Sequence, residues 1–227
     1  KGANTSLSNL LGTTAINSSL LAGADSVLDL GSATRRWRSL YTGNAIISSD
    51  ALVHGLIVGQ GGGAYVTNTT VGAGALEINF TGANNTAFGF NSLHNNSSGL
   101  DNTAMGVYSG LQNVIGNSNT SIGSYSLFSN SSGNGNAAFG AGALYSNQSG
   151  NNNVAMGLNA LSSNTTQSSL VAIGDSALYA NTGGSANTSV GSGTLRFNTA
   201  GSQNVANGFL ALYFNTTGYG NVASGYK

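Results

Sequence analysis

The sequence predicts an all-β chain, a parallel β-solenoid or β-roll of 17-residue coils. Three observations predict it. A glycine recurs every seventeen residues with no insertion, columns of Leu and Asn keep fixed offsets from it, and Gly, Asn, Ser and Thr displace charge and proline.

The recurring glycine, taken as position 0, is Gly72, Gly89, Gly106, Gly123, Gly140, Gly157, Gly174, Gly191, Gly208 and Gly225. Such self-similarity marks a repeat architecture. Position 4 is Leu in eight of nine units (among them Leu76, Leu93, Leu144, Leu178 and Leu212), Gly110 being the exception with Leu111 beside it. Position 7 is Asn in every unit, including Asn96, Asn130, Asn164 and Asn198. Position 10 is Gly in eight of nine, with Gln167 the departure, and position 13 is Asn in nine of ten, with Leu170 the departure. Position 15 is Ala or Ser (once Thr70), and position 16 is apolar from Val71 through Phe88, Met105, Ile122, Phe139, Met156 and Ile173 to Val190.

Each column has a physical reason. Gly tolerates positive φ and close backbone approach, so positions 0 and 10 read as corners. Asn visits the left-handed region and bonds its local backbone, so positions 7 and 13 read as turn edges. Stacked coils lie about 4.8 Å apart, as paired strands do, and identical Asn amides can then bond one another as a ladder. Alternation over positions 13 to 16 puts positions 14 and 16 on one face and 15 on the other. Two short strands per coil follow, over N-T-A-apolar and A-L-x-x-N. A helix is excluded, because Gly and Asn at fixed corners would break it every few residues.

Composition narrows the class. Charged residues are 5% of the 227, against roughly 25% in soluble domains. Net charge is zero, which leaves no electrostatic case for nucleic acid or an anionic membrane. No apolar run approaches the roughly 18 residues of a membrane span. With no Cys there are no disulfides or thiolate metal sites, and the compartment stays open. Lys1 to Leu10 lack a basic-then-apolar signal pattern. A start at Lys1 and an end just after Gly225 both suggest that the natural chain extends further.

The apolar supply per coil is small: Leu, the position-16 residue and sometimes Val. Burying each is worth roughly 1.5–3 kcal/mol, whereas ordering the coil costs on the order of 1.5 kcal/mol per residue before hydrogen bonds are counted. Several chains packed about one axis would bury a second face and cover strand edges. The small residues at position 15 suit a close approach of backbones there. An assembly of several copies is therefore expected.

Units such as Asn85-Thr-Ala-Phe-Gly-Phe-Asn-Ser-Leu93 and Asn153-Val-Ala-Met-Gly-Leu-Asn-Ala-Leu161 resemble the repeats of YadA-like heads in trimeric autotransporter adhesins. They are closer still to repeats of phage tail fibres, many of which carry a C-terminal self-cleaving chaperone domain of the endosialidase type. The resemblance covers residues 68–227. It implies a left-handed parallel β-roll, trimeric about its long axis, in a virion tail fibre that presents or extends host-binding surfaces. Implied partners are the other copies, neighbouring tail subunits and a host glycan or protein receptor. A bacterial cell-surface adhesin head is the alternative. The family's heads often use a shorter coil than this one.

Residues 1–67 lack the repeat and read as a β-rich connector. Val27-Leu-Asp-Leu-Gly31 with Arg35-Arg-Trp-Arg-Ser-Leu-Tyr-Thr-Gly43 is similar to a connector segment of tail-fibre proteins. Arg35, Arg36 and Arg38 either contact nucleic acid or a neighbouring subunit, or pair with Asp25 and Asp29 at a trimer interface, which is the preferred reading. Residues 50–67 read as an apolar strand and a glycine run where three chains meet. Gly59-Gln-Gly61 lacks the following helix that a dinucleotide site needs.

Catalytic signatures are missing. His54 and His94 have no Cys or paired carboxylate nearby, and a metal site needs three or four converging ligands. Glu77, Asp101 and Asp175 fall at different repeat positions and read as isolated surface charges, not the carboxylate pair of a glycosidase. No G-x-S-x-G elbow is present. The expectation is a non-enzymatic chain without cofactor or metal. A glycan-degrading spike is the less favoured alternative. Position 5 should point outward, and its aromatics Tyr145, Tyr179 and Tyr213 could hold sugars or, as preferred, cover a neighbouring chain. The many N-x-[ST] triplets, such as Asn164-Thr-Thr166, follow from composition. Asn207 and Ser224 at position 16 hint at a solvated axis near the end of the stack.

Overall fold

The computed structural model describes residues 51–53, 56–63 and 67–227. They form one twelve-stranded sheet in sequential order. A short antiparallel pair, β1 (Ala51–Val53) and β2 (Leu56–Gly59), leads in, and β2 pairs antiparallel with β3 (Thr69–Val71). From β3 onward every pairing is parallel, through β4 (Thr86–Phe88), β7 (Ala137–Phe139), β8 (Val154–Met156) and β9 (Val171–Ile173) to β12 (Val222–Ser224). Register is in step with the repeat: Ala138 faces Ala155 and Phe139 faces Met156, each seventeen residues on. The chain is a parallel β-solenoid of about nine turns.

One strand forms per coil, not two. The A-L-x-x-N stretch is a run of turns, because Leu at position 4 sits in the left-handed region (Leu93 φ 48°, Leu144 φ 52°, Leu178 φ 50°). Left-handed geometry costs a residue with a Cβ about 1–2 kcal/mol, and full burial of Leu returns roughly 1.5–3 kcal/mol. Hydrogen bonds between coils run on through the turns: Leu144 N–H donates to Ala160 O at 2.9 Å and Ser146 N–H to Ser162 O at 3.0 Å.

The interior differs from expectation in what fills it. Position 16 and position 14 face outward, so neither Phe139 nor Val154 belongs to the core. Inside lie Leu at position 4 and small residues at positions 3 and 15, such as Ala143, Ala155 and Ala160, all fully buried. The column of small residues at position 15 therefore packs inside its own coil rather than at a contact between chains.

Asparagine completes the core. Asn79, Asn96, Asn113, Asn130, Asn147, Asn164, Asn181, Asn198 and Asn215 form an unbroken ladder, each Nδ2 after the first donating to Oδ1 of the Asn one coil earlier at 2.7–3.3 Å. The same amides donate to the position-10 carbonyl of their own coil, as Asn130 does to Gly133 O at 2.9 Å. The position-13 ladder bonds side chain to backbone as well: Asn136 N–H and Nδ2 both donate to Asn119 Oδ1, at 2.9 and 3.1 Å. Leu170 interrupts it. These asparagines are inward-facing and outside the left-handed region, unlike the turn-edge reading; the left-handed columns are positions 0, 2, 4 and 12.

Gly89, Gly140 and Gly191 hold φ of 132°, 133° and 128°. A Cβ on Gly140 would lie 2.5 Å from Gly157 O. Position 10 has no positive φ; a Cβ on Gly133 would instead run into the Asn130 amide and the next coil's carbonyl. The glycine run packs on the first coil of its own chain: Gly62 N–H donates to Leu76 O at 2.8 Å, and Gly62 O accepts from Asn79 Nδ2 at 3.1 Å. Ala51–Val53 and Leu56–Gly59 thus pair as two antiparallel strands, and the glycines that follow lie against the coil, where a single strand was expected.

Two substitutions separate the columns. Leu170→Asn, which restores a ladder rung at the expense of apolar burial, should change stability by under about 1 kcal/mol, since two or three bonds of about 0.5–1.5 kcal/mol offset the loss. Asn130→Ala leaves buried amide partners unmet on both sides and should cost about 2–4 kcal/mol. Denaturant melts of the two variants check this, and equal losses would contradict the ladder.

Candidate functional site

The outward surface carries two ordered features. The first is the strand face. Along positions 16 and 14, Phe88, Met105, Met156 and Ile173 are exposed and Ile122, Phe139 and Val190 half-buried, flanked by Val154 and Val171. Their regular step makes one apolar stripe about 29 Å long, at about 4.8 Å per coil. Contiguous apolar stripes of this kind mark interaction surfaces, whereas single exposed residues do not. Asn207 and Ser224 continue the column as exposed polar residues.

The second is a wall of aromatic side chains from positions 1, 2, 5 and 6. Phe90, Tyr108, Tyr125, Phe128 and Tyr145 form a chain of ring contacts with centroids 5.1–6.4 Å apart, and Phe128 and Tyr145 are stacked at 4°. Ser162 ends this group at position 5. Tyr179 and Tyr213 belong to a second group with Arg196, Phe197 and Phe214. The three tyrosines expected on one face do share it, divided between two clusters.

Sequence reasoning missed Tyr108 and Tyr125. Both occupy position 2, where φ is positive in every coil. Gly74, Asn91, Gly142, Asn159 and Gly193 in that column are the signal that could have marked it, since those types favour the left-handed region.

The structural columns keep their predicted places: Leu93, Leu144 and Leu178 are buried, as are Asn96, Asn130, Asn164 and Asn198. The reading of His94 needs correction. Its Nε2 lies 3.3 Å from Glu77 Oε2, because both residues occupy position 5 in successive coils, and Nδ1 meets Asn95 Oδ1 at 2.7 Å. Asp101 accepts a hydrogen bond from Asn84 Nδ2 at 2.9 Å. Among the described residues no group of three His, Cys, Asp or Glu gathers in one place. Asn164, though in a glycosylation triplet, is fully buried, with its Nδ2 bonded to Asn147 Oδ1 and Gln167 O at 2.9 and 3.0 Å. Arg35, Arg36, Arg38 and His54 lie outside the described residues.

Comparison with protein-family models, curated proteins and solved structures returns no match. What the geometry offers is a rod with an apolar stripe and an aromatic wall.

Removing rings from the wall should leave the coil intact. Tyr125→Ala should cost under about 1.5 kcal/mol, the scale of one aromatic pair, whereas Leu127→Ala inside the same coil should cost about 2–5 kcal/mol. Thermal melts of both variants test the inward and outward assignment.

Proposed function

We propose that the chain is a non-enzymatic segment of a homotrimeric fibre, in the tail fibre of a bacterial virus, that extends or presents a host-binding surface. The observation that carries this reading is the apolar stripe on the strand face. With position 16 outside the coil, the apolar part of the interior is about one Leu and a few small residues per turn, while Phe, Met and Ile stand in line on the outside. Two further copies packed along that line would cover it and give each coil the apolar burial it lacks. The resemblance of residues 68–227 to tail-fibre repeats supports the viral setting.

The mechanism is geometric. A stack of hydrogen-bonded coils sets a reach, and three copies about one axis repeat each outer feature threefold. Weak contacts to a receptor then gain avidity through effective concentration.

The purified chain should have a native mass of three times 22.6 kDa at micromolar concentration. Placing two carboxylates in the stripe, by Phe139→Asp with Met156→Asp, should dissociate it while leaving the solenoid's circular dichroism in place. A monomeric parent chain would overturn the trimer. A membrane-anchor barrel in the same reading frame would overturn the viral setting and place the chain on a bacterial surface.

A further inference from the structure

We propose that Arg196, held between Tyr179 and the ring pair Phe197–Tyr213, is a subsite for a carboxylated sugar. The inference rests on the reading of the aromatic wall as a surface that the fibre presents to its receptor.

Arg196 stands alone in the chain's charge pattern. It is the only Lys or Arg between Arg38 and Lys227. It occupies position 5, the column that carries Tyr179 one coil before it and Tyr213 one coil after. Its guanidinium carbon lies 5.6 Å from the Tyr179 ring centre and 5.9 Å from that of Phe197. Phe197 in turn meets Tyr213 edge-on at 5.0 Å. Aromatic residues enter position 6 only here, at Phe197 and Phe214, where other coils carry Ile, Asn, Gln, Ser or Ala.

Nothing in the described chain neutralises this cation. Among the described residues Arg196 forms no ion pair, the single one being His94 with Glu77. Its Nε is covered and has no hydrogen-bond partner. Packing alone does not explain it, because Tyr fills the same column on both neighbouring rungs at no such cost. Rings beside a guanidinium restrict its motion, and with Nε covered the two terminal nitrogens remain to meet a carboxylate with two parallel bonds. The flanking rings suit the apolar C–H face of a pyranose. From Tyr179 to Tyr213 the site spans two coil steps, about 9.6 Å, on the order of two sugar rings. A neutral sugar would use the rings alone, and an aliphatic partner would leave the cation unmatched.

Titration calorimetry on the full chain tests this with a glucuronate oligosaccharide and a glucose oligosaccharide of the same linkage and length. The glucuronate should bind at least about tenfold tighter, and the preference should shrink at high salt. Arg196→Gln should erase the preference, Arg196→Lys should keep part of it, and Tyr179→Ala should weaken both sugars. Equal binding of both sugars by the parent chain overturns the acidic subsite while leaving a sugar-binding wall. Binding of neither sugar overturns the subsite and the glycan reading of the wall together. Loss of the native trimer in Arg196→Gln, with no sugar bound by the parent, would instead assign the cation to the contact between copies; the fibre reading is decided separately by the mass of the parent chain.

Discussion

Everything in the coiled part of this molecule depends on one registry: from Thr86 on, each residue sits over the residue seventeen positions earlier, and the two are hydrogen-bonded to the same rows. The position-7 asparagines show what the registry is worth. A buried primary amide with no partner is expensive, yet here both of its N–H groups and its oxygen are met, by the coil's own carbonyl and by the neighbouring amides. The geometry that satisfies one Asn satisfies all of them, because the repeat makes every rung alike. The amides thereby do part of the work that bulky aliphatic side chains do in ordinary domains.

The same registry explains the choice of residues that look unfavourable in isolation. Leu is a poor occupant of the left-handed region, and it stands there in eight coils because its side chain is then driven into the centre. Gly at position 0 gives the coil its corner without a Cβ that the next coil's carbonyl would exclude. Where a column changes type, the neighbours adjust locally. At Gly110 the missing Leu is replaced by a hydroxyl cluster in which Ser109 Oγ donates to Ser121 O at 2.8 Å and lies 3.0 Å from Ser126 Oγ.

Periodicity made the architecture legible in the sequence, down to the ladder of amides, because identical residues at one spacing can only be stacked. Facing was harder. Alternation put positions 14 and 16 on one face without saying which, and the coil, filled by Leu and small residues, leaves Phe139 and Met156 on the outside. The second strand was misjudged at Leu144, whose φ no propensity scale would assign. The pair His94 and Glu77 was present in the position-5 column as two adjacent members, and reading the column as a set of neighbours would have joined them. The two aromatic clusters follow from the same rule applied to positions 2 and 6.

The sequential order of the sheet has a mechanical side. Each strand touches only the strands before and after it, and the bonds between coils lie along the rod. Tension applied to the ends of a lone chain loads those rows one at a time, like a zipper, not all together in shear. Each turn that yields would release its seventeen residues, a gain in length of about 50 Å at about 3.3 Å per extended residue, so a pulled chain would give way in equal steps and absorb work at each one.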